Sequence, residues 1–114
     1  MFAAPDTNVT LSQIRTNAVD AYRLGKLPEA AEYYRLWAER EPRRTEAHIG
    51  LGRSLLALGY LERAKESFQK ASKYQSNSVD VKIGLAEVAL ASGEIQSAYN
   101  LLDTARKTDP SNID

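Results

Sequence analysis

The sequence of 114 residues contains no cysteine and only one histidine, His48. Without cysteine there is no disulfide framework, no thiolate metal site and no cysteine nucleophile, and the redox compartment stays undetermined. A single imidazole does not make a transition-metal site, so we expect no metal ion. The glycines are dispersed along the chain, which excludes a glycine-rich phosphate loop, and we therefore expect no cofactor.

An excess of one charge and long apolar runs are missing as well. Fifteen basic side chains balance fifteen acidic ones, so no net charge attracts nucleic acid or an anionic membrane. No apolar run approaches the roughly 20 residues that span a bilayer, and residues 1–10 lack the basic and hydrophobic blocks of a signal peptide. We expect a soluble protein of the cytoplasm or periplasm that neither binds nucleic acid nor inserts into a membrane. The possibility that Met1 replaces a cleaved leader peptide stays open.

The sequence does contain a repeat with a period of 34 residues. Three glycines recur at this interval, and so do three alanines, three large apolar residues and three small residues. The four columns are Gly25, Gly59 and Gly93; Ala30, Ala64 and Ala98; Tyr34, Phe68 and Leu102; Ala18, Gly52 and Ala86. Their agreement in one register predicts three copies of one supersecondary unit.

Each unit is predicted to be two helices joined by a turn. In the second unit, leucines at helical spacing precede Gly59 and another apolar stripe follows it. Glycine there suits the left-handed conformation that closes many helices, and Pro28 suits the first turn of the next helix. Thr10 and Gln13 form a capping-box pattern, which predicts that the first helix begins near Leu11.

These columns resemble the tetratricopeptide repeat family over almost the whole chain, residues 11–112. Repeats two and three carry the family's small residue, glycine, alanine and large apolar residue in order, and Asp109 and Pro110 supply its closing pair. The resemblance implies an all-α, right-handed superhelical α-solenoid of three helix-turn-helix hairpins. The implied boundaries are residues 1–10 for an N-terminal extension, 11–44, 45–78 and 79–112 for the repeats, and 113–114 for a truncated next repeat or a tail.

Three positions depart from the family pattern. Asn17 stands where leucine is usual, Trp37 where alanine is usual, and Ser76 closes repeat two in place of proline. They weaken the prediction of packing and leave the resemblance intact. Pentatricopeptide repeats, which bind RNA, have a period of 35 residues and are usually basic, so spacing and charge both disfavour them.

In this family the first helix of each hairpin lines a concave groove, and the repeat register implies which residues face it. The implied groove residues are Arg15, Val19, Tyr22, Ile49, Arg53, Leu56, Ile83, Glu87 and Leu90. Their apolar rows suit the apolar side of a peptide or partner helix, with the charged positions setting its orientation. The alternative is that the isoleucines and leucines pack between neighbouring first helices, and both interpretations stay open.

Gly50 and Gly84 lie inside predicted first helices, where glycine costs about 1 kcal/mol relative to alanine. Either a ligand approaches the backbone there or helices pack closely, and close packing is favoured. The family's best-known ligand mode is a carboxylate clamp for the tails of heat-shock chaperones. Arg15 occupies one clamp position, but Val19, Gly50, Asp80 and Gly84 occupy the others, so we do not expect chaperone-tail binding.

The last predicted helix carries an apolar stripe, including Ile95, Leu101 and Leu102, that a following helix would normally cover. Either the chain is a piece of a longer array, or a second copy or a partner covers the stripe. Charge runs from positive in the first two repeats to negative in the third, which favours head-to-tail contact between copies. Self-oligomerisation through the terminal helices is therefore the competing functional interpretation.

No catalytic constellation is recognisable, so we do not expect an enzyme. His48 lies where the family often places a large packing residue, which favours an interface histidine over a base or ligand. We expect a non-catalytic scaffold that binds a peptide or protein in its concave groove and supports assembly of a larger complex. The alanine-rich, cysteine-free style resembles bacterial members of the family that serve secretion, pilus or envelope assembly.

Overall fold

A computed structural model of the chain describes residues 9–108, which form six α-helices and no strand. The helices are α1 (Leu11–Arg23), α2 (Leu27–Arg40), α3 (Thr45–Ala57), α4 (Leu61–Tyr74), α5 (Val79–Ala91) and α6 (Ile95–Thr108). The first helices of the three hairpins begin at Leu11, Thr45 and Val79, which are 34 residues apart. The predicted extension, the closing Asp109 and Pro110, and residues 113–114 lie outside the described residues.

The helices stack in chain order. The two helices of each hairpin pack against each other, and α2 and α4 each pack against the first helix of the following hairpin. The stack is elongated, with extents of 43 × 25 × 22 Å. Contacts limited to neighbouring hairpins are characteristic of a solenoid, whose stability is a sum of hairpin and interface contributions. The predicted all-α helical repeat solenoid is confirmed.

The three hairpin turns share one backbone conformation. Gly25, Gly59 and Gly93 have φ of +75°, +88° and +81°, the left-handed region that side chains with a Cβ resist. At the second turn the Gly59 amide donates to the Leu56 carbonyl at 3.0 Å, and the Tyr60 amide donates to the Leu55 carbonyl at 2.9 Å. These two bonds form a Schellman motif that satisfies the last carbonyls of α3, as the glycine spacing predicted.

The predicted helix starts are also present. The Thr10 amide donates to Oε1 of Gln13 at 3.0 Å, and the Gln13 amide donates to Oγ1 of Thr10 at 3.2 Å. This reciprocal pair is a capping box, and α1 begins at Leu11 as predicted. Pro28 lies in the first turn of α2, where its missing amide hydrogen is not needed.

Two aromatic rings fill the junctions between hairpins by packing on glycines. A Cβ built on Gly84 would lie 2.3 Å from the ring of Phe68, and one on Gly50 would lie 2.1 Å from the ring of Tyr34. Phe68 is fully buried, and Gly52 of its own hairpin lies on it as well, at 2.9 Å for a built Cβ. Because the rings already occupy this space, close packing accounts for Gly50 and Gly84.

His48 is a packing residue of α3. It is buried, its Nε2 donates to the Pro42 carbonyl at 2.7 Å, and its ring stacks on Tyr74 with centroids 6.2 Å apart. The bond ties α3 to the segment before it, and the stacking ties α3 to α4. These contacts agree with the predicted interface histidine.

Candidate functional site

A cavity of about 290 Å³ lies at the junction of the first two hairpins. Residues of α1, α2, α3 and α5 line it, so three consecutive hairpins contribute. Its lining residues are Val19, Tyr22, Tyr34, Trp37, Glu46, Ile49, Gly50, Arg53 and Asp80. Apolar and aromatic side chains form the interior, whereas three charged side chains, Glu46, Arg53 and Asp80, complete the lining.

Not all of the nine predicted groove residues line this cavity. Four of them line the cavity, Arg15 lies beside it against Trp37, and four lie outside it toward the third hairpin. The predicted residues that line the cavity are Val19, Tyr22, Ile49 and Arg53, and those that lie outside it are Leu56, Ile83, Glu87 and Leu90. Within the apolar rows the degree of burial differs. Ile49 is buried and Leu56 packs on the core, but Leu90 is 48% exposed.

Two of the lining residues, Tyr34 and Trp37, come from a second helix, and the predicted groove set omits both. Tyr34 belongs to the recurring column of large apolar residues; it is buried, yet its ring also borders the cavity. Trp37 stands in the column of Ala71 and Ala105, both fully buried. A tryptophan cannot occupy the space of an alanine, so this departure from the family pattern is the signal from which an altered groove could have been inferred.

Trp37 is held by contacts on several sides. Its Nε1 donates to Oε1 of Glu41 at 2.8 Å, and its ring stacks on Tyr34 with centroids 5.9 Å apart and 18° between the planes. The Arg15 guanidinium lies 5.9 Å from the indole centroid, a cation–π arrangement. The Trp37 hydrogen bond, together with Arg44 and Arg15, holds the pKa of Glu41 below its usual value. Fixed neighbours on several sides make the indole a preorganised wall.

Two of the charged side chains of the cavity pair with each other, because Nη2 of Arg53 lies 3.7 Å from Oδ1 of Asp80 and so links α3 to α5. The third, Glu46, pairs with a residue outside the lining: its Oε2 lies 3.9 Å from Nη1 of Arg44. These side chains are largely exposed, so each pair contributes at most about 1 kcal/mol to stability. Burial raises the pKa of Tyr34, against the opposing effect of Arg53. Such a site can bind an apolar group in its interior and a charged group at its edge.

The predicted self-association residues lie on α6, which is partly exposed. Ile95 is 53% exposed and its neighbour Tyr99 is 68% exposed, whereas Leu101 and Leu102 are half-buried. The outward face of α1, at the other end, is polar. The α1 residues Gln13, Thr16 and Asp20 occupy the columns that hold buried Ala47, Gly50 and Ser54 in α3 and buried Val81, Gly84 and Val88 in α5. A polar face on α1 disfavours the head-to-tail contact that the charges favoured.

Within residues 9–108 no group of histidine and carboxylate side chains could hold a metal ion. None of the helices in the same range has the length and apolar character needed to cross a membrane.

Two family models, each described as tetratricopeptide repeat, match residues 15–71 and 55–114. No curated protein matches the sequence. Among solved structures, the TPR2B domain of yeast Sti1 in its pHsp70 complex is similar with a TM-score of 0.83 and 24% identity. The match covers 90% of this chain and 82% of that one.

Two further similar structures are secretion and chaperone proteins with bound segments. The Yersinia enterocolitica type III secretion chaperone SycD, in complex with a peptide of the translocator YopD, has a TM-score of 0.84 at 20% identity. That match covers 94% of this chain and 83% of SycD. PcrH in complex with the chaperone binding region of PopD has a TM-score of 0.84 at 21% identity, over 98% of this chain and 84% of PcrH.

At these identities the solved structures establish the fold alone. The family models carry more, because each covers half of the chain or more and together they span both junctions between hairpins. The helix pairs, the turn glycines and the 34-residue register agree with them. The chain belongs to the tetratricopeptide repeat family.

Proposed function

We propose that the chain is a non-catalytic scaffold that holds a peptide or protein segment in its concave groove and so supports assembly of a larger complex. The observation that carries this proposal is the concave cavity, whose walls come from three hairpins. An apolar interior edged by a few charged groups is the usual composition of a binding site. A segment that lies across α1, α3 and α5 would contact the cavity and the exposed Leu90 together.

The similar structures support a peptide as the ligand. Sti1, SycD and PcrH were each solved with a peptide or a binding region of another protein. SycD is a type III secretion chaperone, which supports a bacterial secretion or envelope-assembly setting as the finer form of the proposal. A chaperone tail is not the proposed ligand, because Val19, Gly50 and Gly84 offer no donor to a carboxylate and aromatic rings cover both glycines.

A random library of 12-residue peptides displayed on phage tests the groove. Peptides selected on the chain are expected to lose binding to a variant with Arg53→Glu and Leu90→Asp, since both side chains lie on the concave face and neither is buried. The matched control carries Lys70→Glu on α4 and Tyr60→Asp at its N-cap, with the same charge changes; neither residue lines the cavity. Equal binding to both variants would remove the concave face as the site.

Self-oligomerisation is the second candidate, and the exposed Ile95 and Tyr99 on α6 favour it. Because the outward face of α1 is polar, contact between two α6 helices is the more favourable arrangement. Sedimentation across a concentration series is expected to show a reversible dimer that Tyr99→Lys dissociates. A constant monomer mass would eliminate this candidate and leave the groove proposal untouched.

A further inference from the structure

The cavity has the capacity of one large side chain. At about 290 Å³ it lies at the lower limit of the range for drug-sized ligands, a volume that suits a single bulky group. Tyr22, Tyr34 and Trp37 place three aromatic side chains around this space. Aromatic pairs gain about 0.5–1.5 kcal/mol beyond the burial of their area, which favours an aromatic occupant over an aliphatic one.

The aromatic walls are already in position without a ligand. The hydrogen bond from Trp37 to Glu41 and the stacking of Trp37 on Tyr34 fix both rings, and the Tyr34 ring also packs on Gly50. A site with fixed walls loses little conformational entropy when a ligand enters. Anchor side chains that enter such preformed pockets carry most of the binding energy of an interface.

Charge around the cavity determines what should flank the anchor. Arg53 is paired with Asp80 at 3.7 Å, and Arg15 lies 3.9 Å from Glu41, so both cations near the cavity have an acidic partner. Glu87 lies two turns beyond Asp80 on α5, is exposed, and forms no ion pair within the described residues. The charge left without a partner along this side of the groove is therefore negative.

We infer that this cavity takes one aromatic side chain of a partner peptide, and that basic residues beside this anchor lie along α5 toward Glu87. The inference rests on the proposed function and names the partner chemistry of the same groove. The charges determine the direction in which the peptide lies, because basic residues beside the anchor are attracted to Glu87 on α5, whereas acidic residues are repelled. The cavity thus determines which peptide segment binds, and the rest of the groove contributes contact area.

Peptides from the phage selection provide the first measurement. The selected sequences are expected to share one phenylalanine, tyrosine or tryptophan position with lysine or arginine on one side. For a synthetic peptide with phenylalanine at this position, replacement by alanine should weaken binding about ten- to a hundredfold, the effect of burying one such side chain. Trp37 is the only tryptophan in the chain, so its emission reports directly on entry of a tryptophan-free peptide.

Two protein variants test the cavity directly. Val19→Trp places a large side chain at the cavity from a position that is 43% exposed, so the fold should tolerate it. Its matched control is Tyr60→Trp, at a similarly exposed position that does not line the cavity. By fluorescence polarisation of the labelled peptide, Val19→Trp should weaken binding at least about tenfold, and Tyr60→Trp should change it by less than about threefold.

A separate experiment tests the basic residues beside the anchor. Replacing the basic residues of the peptide by glutamate should weaken binding at low salt, and Glu87→Lys should reverse this preference. Both effects should shrink in 0.5 M salt, because screening is strong there, whereas the loss caused by removing the aromatic anchor should persist. A Glu62→Lys variant, exposed on α4, carries the same charge change and should leave the preference as it is.

The outcomes distinguish the inference from the proposed function. One outcome would contradict the anchor alone: the selected peptides lose binding to the Arg53→Glu, Leu90→Asp variant, yet they share no aromatic position or bind Val19→Trp as well as the unchanged chain. The anchor inference would then be wrong, and the proposal that the groove binds peptides would remain. If no selected peptide depends on the concave face, both are wrong. Circular dichroism of each variant shows whether a loss of binding comes from a loss of fold.

Discussion

Gly84→Ala tests whether the junctions between hairpins depend on an aromatic ring packed on glycine. Helix propensity alone predicts stabilisation by about 1 kcal/mol, since Gly84 lies inside α5. The structure predicts the opposite sign. The new Cβ would lie 2.3 Å from the Phe68 ring, whereas carbon atoms in contact normally lie about 3.5–4.0 Å apart.

The expected magnitude follows from how little the ring can move. Phe68 is fully buried and also packs against Gly52, where a built Cβ would lie only 2.9 Å from the ring. Overpacking of this kind costs about 1–3 kcal/mol, and we expect the upper part of that range. After the gain of about 1 kcal/mol from helix propensity, the net loss is about 2 kcal/mol. For a domain of this size that lowers Tm by about 8 °C.

Thermal and urea unfolding followed by circular dichroism measure this loss. Thr16 supplies the matched control, because it occupies the same column of the repeat on the exposed face of α1. There Thr16→Ala should be more stable than Thr16→Gly by about 1 kcal/mol, the intrinsic propensity difference. A Gly84→Ala variant with an unchanged or higher Tm would refute the packing account of the junction.

A double-mutant cycle tests the same contact from the other side. Phe68→Leu shortens the side chain that meets the new methyl group, so it should recover part of the loss in Gly84→Ala. We expect a coupling free energy of about 1–2 kcal/mol in favour of the double variant, within the range seen for residues in contact. Simple additivity of the two single changes would show that the clash is relieved elsewhere.

Two further predictions concern the second turn and the support of the cavity. Gly59 has φ of +88°, so Gly59→Val should lower the free energy of unfolding by at least about 1–2 kcal/mol, and Gly59→Asn by less; equal losses would contradict the left-handed conformation. Glu41 has a folded pKa below its ordinary 4.5, so its stabilising contribution is present above that value and is lost as pH falls through the lower folded pKa. Emission of Trp37 should therefore change with a midpoint below pH 4.5, and Glu41→Gln should remove this change; a midpoint above 4.5 would contradict the hydrogen bond as its cause.

The candidate site was predictable only in part. Val19, Tyr22, Ile49 and Arg53 were found because the family register places first-helix residues on the concave side. Trp37 was visible as an exception to an alanine column, but nothing in its spacing showed where the extra volume would go. Its direction depends on Tyr34 and Glu41 of the same helix and on Arg15 of another.

The sequence by itself determined the features that depend on local chemistry. The period of 34 residues, the helix starts at Thr10 and the left-handed turns at the three glycines each follow from a few neighbouring residues. Backbone hydrogen bonding and steric limits act over one or two helical turns, so a pattern of that length is sufficient.

Only the tertiary structure decided what the hairpin junctions contain. The purpose of Gly50 and Gly84 depends on rings that come from the preceding hairpin, and the cavity depends on side chains of four helices. The division of the apolar rows into a packed Ile49 and an exposed Leu90 has the same origin. Side-chain packing is set by volumes that meet in space, and residues distant in the sequence supply those volumes.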